Sequence, residues 1–239
     1  MHNSVNRPIT TATVLAAFIT TLMFSAYAVF SPDTSPAADS YWLWGGKTFE
    51  DLPDSETVYV LQGTISELEG EPGFLHQGVY PHPVIQKLVL VFRFETLDDS
   101  PRLIELMHNI AWQWETQGAE VLGFQLDYDS PSAQLLGYRN VLDKIRNQLD
   151  EKYLLSITGL GDWLFSADQA VLLSTRSSVD EIVFQLYRGS DYEPLYDYLI
   201  ALKKQSFDFK LGLLKDHRDN EKILKALSDL KGLQGLIYF

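Results

Sequence analysis

A chain of 239 residues, 46% hydrophobic and 13% aromatic, is long enough for one domain with a substantial core and too apolar to be disordered. Its formal net charge of −13, from 32 acids against 19 Lys and Arg, works against binding nucleic acid or an anionic membrane surface, since both need a basic patch. The lack of cysteine removes disulfides, thiolate metal sites, cysteine nucleophiles and lipid attachment at cysteine together.

From Ile9 to Phe30 there is no charged residue, and Arg7 precedes the run, so this stretch reads as an export segment. Its apolar heart, Thr11 to Phe24, is about 14 residues, the length of a signal h-region, and Ala26-Tyr27-Ala28 offers an A-x-A cleavage site. The whole uncharged run also suffices for an uncleaved anchor of ~20 residues, so signal peptide and N-terminal membrane anchor both stay open. The chain is thus read as residues 1–30 for export, a linker over 31–40 rich in Ser, Pro, Ala and Asp, and a folded domain over 41–239. That domain is expected in the periplasm or cell envelope, with membrane contact only through the N-terminal segment.

Tyr41-Trp42-Leu43-Trp44 reads as a first strand and Thr57–Gln62 as a second. Ser66 to Gln86, with its Gly and Pro residues, has no helical period and is expected to be an irregular excursion with room for a hairpin. Lys87–Glu95 is a strand. Ser100-Pro101 then caps a helix whose Leu103, Leu106, Met107, Ile110 and Trp114 share one face, and Gly118 ends it. Val121–Asp129 alternates without a break: Leu122, Phe124, Leu126 and Tyr128 are apolar, while Gly123, Gln125, Asp127 and Asp129 are small or polar. Ser130-Pro131 opens a second helix carrying Leu135, Leu142 and Ile145, and Tyr153–Thr158 is the next strand. Ser166 with Gln169 predicts a capping box for a short helix, Glu181–Tyr187 a strand, and Ser190 with Glu193 a helix to about Lys204. Phe207–Leu214 and Leu233–Phe239 are strands flanking a helix near Asp219–Leu230, which Gly232 terminates.

Eight predicted strands, alternating with helices in the second half, point to an α/β fold: a small, partly irregular (β/α)8 TIM-type barrel. An open doubly wound sheet is the alternative. The barrel is preferred because polar residues occupy the alternate face of several strands, and a sheet covered on both faces should be apolar on both.

In such a barrel function gathers at the carboxyl ends of the strands. These ends are read as Trp44, Gln62, Arg93 and Glu95, Asp127 and Asp129, Thr158, Gln185 and Tyr187, Lys210, and Tyr238. The charge is concentrated on the third and fourth predicted strands. Adjacent strands lie ~4.8 Å apart, so Glu95 and Asp127 or Asp129 fall within the roughly 5–9 Å used by paired glycosidase carboxylates. An Arg93–Asp127 ion pair filling the barrel is the competing reading, and Asp129 also suits a helix N-terminus. Trp44, Trp163, Tyr187 and Tyr238 offer ring faces on which a sugar stacks, and Arg93, Gln125, Thr158 and Gln185 offer polar contacts to its hydroxyls. Carbohydrate is therefore the expected partner. No cofactor is expected: Gly159-Leu160-Gly161 lacks the third glycine of a dinucleotide loop, and the spacing of His76 and His82 matches no zinc pattern.

The run Gly123-Phe124-Gln125-Leu126-Asp127-Tyr128-Asp129, with Tyr138, Leu155–Leu160 and Trp163-Leu164, resembles a bacterial family catalogued as a domain of unknown function. The resemblance covers mainly residues 87–190 and implies a glycoside-hydrolase-like barrel. Gly123–Asp127 is also similar to the fourth-strand motif of alpha-amylase-type barrels, which implies Asp127 as nucleophile, and Asp127-x-Asp129 is similar to chitinase-type barrels. Gln125 stands where the amylase motif has Arg, Ser156-Ile157-Thr158 where it has a fifth-strand Glu, and Pro131 where the chitinase motif has its acid. A glycan-active hydrolase using Asp127, Asp129 and Glu95, and a non-catalytic glycan-binding or polysaccharide-assembly barrel, are both carried forward.

Overall fold

The computed structural model describes residues 40–52, 57–188, 191–192 and 195–239. The export segment, most of the linker and the helix start at Ser190 and Glu193 lie outside the described residues. Among the described residues no helix is long and apolar enough to cross a membrane.

Eight parallel strands close on themselves in the order β1 (Ser40–Leu43), β2 (Thr57–Leu68), β4 (Lys87–Phe94), β5 (Glu120–Asp127), β6 (Leu154–Leu160), β7 (Glu181–Gln185), β10 (Phe209–Leu213) and β11 (Leu233–Tyr238). The pairing of β11 back onto β1, Ser40 beside Ile237 and Tyr41 beside Tyr238, makes this a barrel rather than an open sheet. β3 (Glu71–His76) returns antiparallel along the far half of β2, which is the hairpin in the irregular early excursion. A two-residue pair, β8 (Tyr187–Arg188) with β9 (Asp191–Tyr192), follows β7.

The helices cover the outer face of the second half. α1 (Pro101–Thr116) begins as its sequence dictates: the Ser100 hydroxyl accepts from the Leu103 amide at 3.4 Å, and Pro101 sits where no intrahelical N–H is needed. Gly118 ends it at φ +99°, a conformation that would strain a side chain. Its inner stripe, Leu103, Met107, Ile110, Ala111 and Trp114, is buried against Leu88, Leu90, Phe92, Phe124 and Leu126 of the sheet. α2 (Leu135–Gln148) is preceded by a single 3-10 turn, Ser132–Gln134. α3 (Trp163–Ser166) is four residues long and α4 (Gln169–Ser177) follows it. The Ser166–Gln169 capping box is not formed. Asp168 caps α4 instead, accepting from Ala170 and Val171 at 2.9 and 3.1 Å. α5 (Leu195–Leu202) and α6 (Asn220–Leu227) complete the ring. Between β1 and β2 the described residues hold only the 3-10 turn Phe49–Asp51, so the early crossovers are irregular.

The alternation of β5 sets the two faces, with one exception. Phe124 and Leu126 are fully buried on the helix side, while Gln125 and Asp127 face the lumen with Val89 and Val91 of β4. Leu122 packs with the lumen cluster instead, because the β4–β5 register shifts between Leu88 and Val89. A second shift, between Leu61 and Gly63 of β2, turns Gln62 away from the position expected at a strand end. Its side chain is fully buried, accepts from Trp114 Nε1 at 3.0 Å and donates to the Val60 carbonyl at 3.0 Å.

The lumen is more apolar than its sequence phase predicts. Trp42, Tyr59, Leu61, Val89, Val91, Val183 and Ile237 form its own small core, and polar side chains enter from β5, β6, β7 and β10. Gly212 makes this packing possible: a Cβ there would lie 2.7 Å from Cη2 of Trp42, so the indole lies where a side chain on β10 would otherwise project.

Candidate functional site

The polar lumen has two levels, and the lower one is closed. Glu181 is the first residue of β7 and Lys210 the second of β10, so both stand at amino ends of strands; Lys210 is not at the carboxyl end where its sequence phase placed it. Lys210 Nζ lies 2.7 Å from Glu181 Oε2 and donates to the Tyr59 hydroxyl at 3.1 Å. Tyr59 and Ser156 in turn donate to Glu181 Oε1 at 2.8 and 2.7 Å. Gln125 donates to Ser156 Oγ at 3.0 Å and accepts from Trp42 Nε1 at 2.7 Å. A continuous line of donors therefore runs from Trp42 through Gln125 and Ser156 to the Glu181 carboxylate. Burial, followed by the Glu181 charge, pushes the Tyr59 phenol well above its ordinary range. Every group in this line has a partner, which is the condition for burying polar atoms without a large penalty.

The upper level lies at the carboxyl ends of β4, β5 and β6. Asp127 is the last residue of β5 and only 7% exposed. Its Oδ1 accepts from Thr158 Oγ1 at 2.8 Å, across from β6, and Thr158 is itself buried. Burial drives the Asp127 carboxyl above the usual carboxylate range; the Thr158 hydrogen bond pulls it down, the Asp129 charge pushes it up, and Arg93 pulls it down. Arg93 is the register partner of Asp127 on β4, and its side chain is exposed, so the buried ion pair considered for this position is not formed. Glu95 and Asp129 are also exposed, just beyond the ends of their strands. The Glu95 amide donates to the Ile65 carbonyl at 2.9 Å, tying the top of β4 to β2. Close to Asp127, the buried hydroxyl of Tyr138 on α2 has no hydrogen-bond partner. Burial first, and the Asp127 charge second, push that phenol well above its ordinary range.

The structure thus brings together Asp127, Thr158, Arg93 and Asp129, with Glu95 just beyond the end of the neighbouring strand. Gln125 is in the lumen, with its amide engaged on both sides. Gln185 is half-buried on the lumen side of β7, beside Gly212. Trp44 and Tyr187 flank Phe239: Trp44 meets it edge-on with centroids 5.6 Å apart, and Tyr187 stacks on it at 6.1 Å. Trp163 lies elsewhere, buried among the helices and donating to the Ser130 carbonyl at 2.7 Å. Tyr238 ends β11, packs on Tyr41 with centroids 5.6 Å apart and lines a cleft beside Phe239. Reasoning from the sequence named Tyr138 only within the family resemblance and gave it no place in the site, and it missed Glu181, although Glu181 shares the inward phase of Gln185 and was there to be read.

Among the described residues no group of three or more His, Asp or Glu is placed to hold a metal ion. His76 instead stacks on Tyr80 at 3.8 Å, and His82 Nδ1 sits 2.9 Å from the Tyr80 carbonyl oxygen.

The barrel superposes on the xylanase and alpha-amylase inhibitor protein from Scadoxus multiflorus with a TM-score of 0.56 and 13% identity, over 84% of this chain and 92% of that one. This likeness establishes the TIM-type fold. The spore cortex-lytic enzyme SleL from Bacillus cereus gives a TM-score of 0.47 and 11% identity over 85% of this chain and 70% of that one. The endo-beta-N-acetylglucosaminidase from Cordyceps militaris gives 0.46 and 13% over 98% and 87%. No curated protein matches the chain in sequence. A family profile matches residues 81–205, from the approach to β4 through α5 and including Asp127 and Thr158, and the chain therefore belongs to the family described as a domain of unknown function, DUF3142.

Proposed function

We propose that the chain is an exported, glycan-active barrel of the glycoside-hydrolase kind, with Asp127 as its acid. The observation that carries this reading is a buried carboxyl at the carboxyl end of a barrel strand, hydrogen-bonded by Thr158, with its pKa raised by burial and by the Asp129 charge. A carboxyl so placed delivers its proton to a glycosidic oxygen as the bond to the leaving group breaks. Glu95, just beyond the end of the adjacent strand β4, is exposed and supplies the second carboxyl group, as nucleophile or as base toward water. Asp129 acts through Asp127, its charge helping to raise the Asp127 pKa. Trp44, Phe239 and Tyr187 give ring faces for sugar rings at the same end of the barrel.

Reducing-end release from a panel of neutral and acidic polysaccharides tests this reading. Asp127→Asn and Glu95→Gln are expected to lose turnover by orders of magnitude, and Asp129→Asn to shift its pH dependence. A wild-type protein that binds a glycan and turns over none of the panel would replace it with the second reading, a non-hydrolytic glycan-binding barrel. That reading is kept because the barrel fold by itself does not imply catalysis, and one barrel it superposes on is described as a xylanase and alpha-amylase inhibitor.

Export rests on the uncharged run from Ile9 to Phe30 behind Arg7. A reporter active only outside the cytoplasm, fused after residue 40, is expected to be active, and a silent fusion would remove this part of the proposal.

A further inference from the structure

Tyr138 carries a cost that its packing does not explain. It stands in the first turns of α2 and is buried, its ring wedged between two others. The Tyr128 ring lies 5.0 Å away at 62°, and the Trp163 ring 6.4 Å away at 60°. Trp163 is pinned in turn by its indole N–H on the Ser130 carbonyl at 2.7 Å, and Tyr128 stands between Asp127 and Asp129 in the chain. A phenylalanine would fill this place equally well. The hydroxyl, however, is shut off from water and has no hydrogen-bond partner, an arrangement that native interiors avoid unless the group has other work. Burial disfavours its phenolate most, and the groups that act on it after burial are Asp127 and then Tyr128, so the oxygen keeps its proton and remains a donor.

The groups acting on Asp127 itself are Thr158 on β6, Asp129 beyond β5 and Arg93 on β4. Thr158 already donates to Oδ1 at 2.8 Å. A protonated carboxyl is a weak acceptor, and Tyr138 makes no bond to it. Once the proton has passed to a glycosidic oxygen, the carboxylate is a charged acceptor, and a charge-assisted hydrogen bond is roughly twice as strong as a neutral one. The Tyr138 hydroxyl has lost its water in advance, so such a bond costs it no further desolvation. With its ring clamped, only rotation of the O–H and a small swing of the carboxylate are needed. We propose that Tyr138 is a positioning residue of this site, its hydroxyl closing on the Asp127 carboxylate as a second donor when Asp127 gives up its proton and letting go when the proton returns. Tyr138 touches no substrate and its own proton stays on its oxygen throughout. An interaction made only as the charge develops is the kind that accelerates a step.

The inference rests on Asp127 being the acid of the proposed function, and its test is read without a glycan. The full chain carrying isotope-labelled aspartate and tyrosine is titrated by NMR as wild type and as Tyr138→Phe, with Asp127→Asn assigning the Asp127 Cγ resonance. In wild type the Tyr138 Cζ resonance should move at the pH where Asp127 ionises. In Tyr138→Phe the ionisation constant of Asp127 should fall at least ~tenfold, the loss of one charge-assisted bond. Thermal unfolding gives the label-free counterpart. The variant should be as stable as wild type or more so where Asp127 is protonated, having lost only an orphaned hydroxyl, and less stable where Asp127 is ionised, having lost a donor to the charge. A tyrosine that merely packs would change the melting temperature by the same amount at every pH. An unchanged Asp127 ionisation constant, or a stability difference indifferent to pH, overturns the inference. So does a Tyr138 Cζ resonance that stays still through the Asp127 titration, which wild type alone decides. If the two titrate together and no polysaccharide is hydrolysed, the Tyr138–Asp127 contact stands while the hydrolytic reading falls.

Discussion

Thr158 Oγ1 donates to Asp127 Oδ1 at 2.8 Å, joining the carboxyl ends of β6 and β5 through a hydrogen bond between two buried side chains. The bond favours the charged form of Asp127, while burial and Asp129 oppose it. Thr158→Val keeps the shape and removes the donor, so Asp127 should stay protonated to higher pH. The alkaline limb of glycan turnover is then expected to move upward, and stability to fall by about 1–3 kcal/mol where Asp127 is ionised. Turnover and thermal unfolding of the variant, measured across pH, check both.

Asp127 also predicts a pH-dependent gain from its own replacement. Its folded-state pKa is raised, so the folded protein holds on to a proton that the unfolded chain releases near the ordinary aspartate value of 3.8. Stability from this group is therefore full below that value and falls as pH rises to the raised folded pKa, staying low above it. Asp127→Asn removes the loss. Its melting temperature should match wild type at pH 3 and exceed it at pH 7, with ~1 kcal/mol corresponding to about 2–4 °C in a domain of this size. A variant less stable than wild type at pH 7 would show that Arg93 depends on the Asp127 charge after all.

Leu126 makes the complementary case from one residue away. It is fully buried on the helix side of β5, in the main core. Leu126→Ala should cost about 2–5 kcal/mol through the cavity it leaves. The folded fraction should keep its specific activity at low temperature, and denaturant melts beside turnover separate this from the Asp127 phenotype.

The strand phase of β5 was legible because its two faces meet two different environments, helices outside and lumen inside, and a period of two records that directly. The helix ends at Ser100-Pro101 and Gly118 were legible for an equally local reason, since capping is decided within a turn. What the sequence hid was set by contacts between distant strands. Register shifts at Leu61/Gly63 and Leu88/Val89 redirected Gln62 and Leu122, and no local pattern announces a bulge whose cause is the neighbouring strand. Trp163 looked like a ligand-stacking ring because composition does not say which side of a helix faces the mouth. Asp168 capped α4 in place of Ser166 because two capping residues stood within three positions and the longer helix starts after the second.

The closed lower level of the lumen gives the sharpest energetic test, because Lys210 and Glu181 are paired at 2.7 Å with side chains only 26% and 13% exposed. Removing one member of a buried pair leaves the other charge uncompensated, at a cost of ~3–5 kcal/mol when burial is complete. Lys210 keeps some solvent, so Lys210→Met should cost less, about 1–3 kcal/mol. Glu181→Gln should be destabilising as well, since it replaces the charged acceptor of Lys210, Tyr59 and Ser156 with a neutral amide. The double variant removes both charges and leaves neither stranded. It is expected to be less destabilised than the two single losses added together, with a coupling of ~1–3 kcal/mol in a double-mutant cycle by urea unfolding. Additive losses would mean that the ammonium and carboxylate are each held by water or by other groups, and that the lower lumen is open rather than closed. The Trp42–Gln125–Ser156 line ends on Glu181, so the same cycle can be read a second way. Trp42 fluorescence should shift in Glu181→Gln and stay closer to wild type in Lys210→Met, because the donor line reaches Trp42 through Glu181 and Ser156 and not through the lysine.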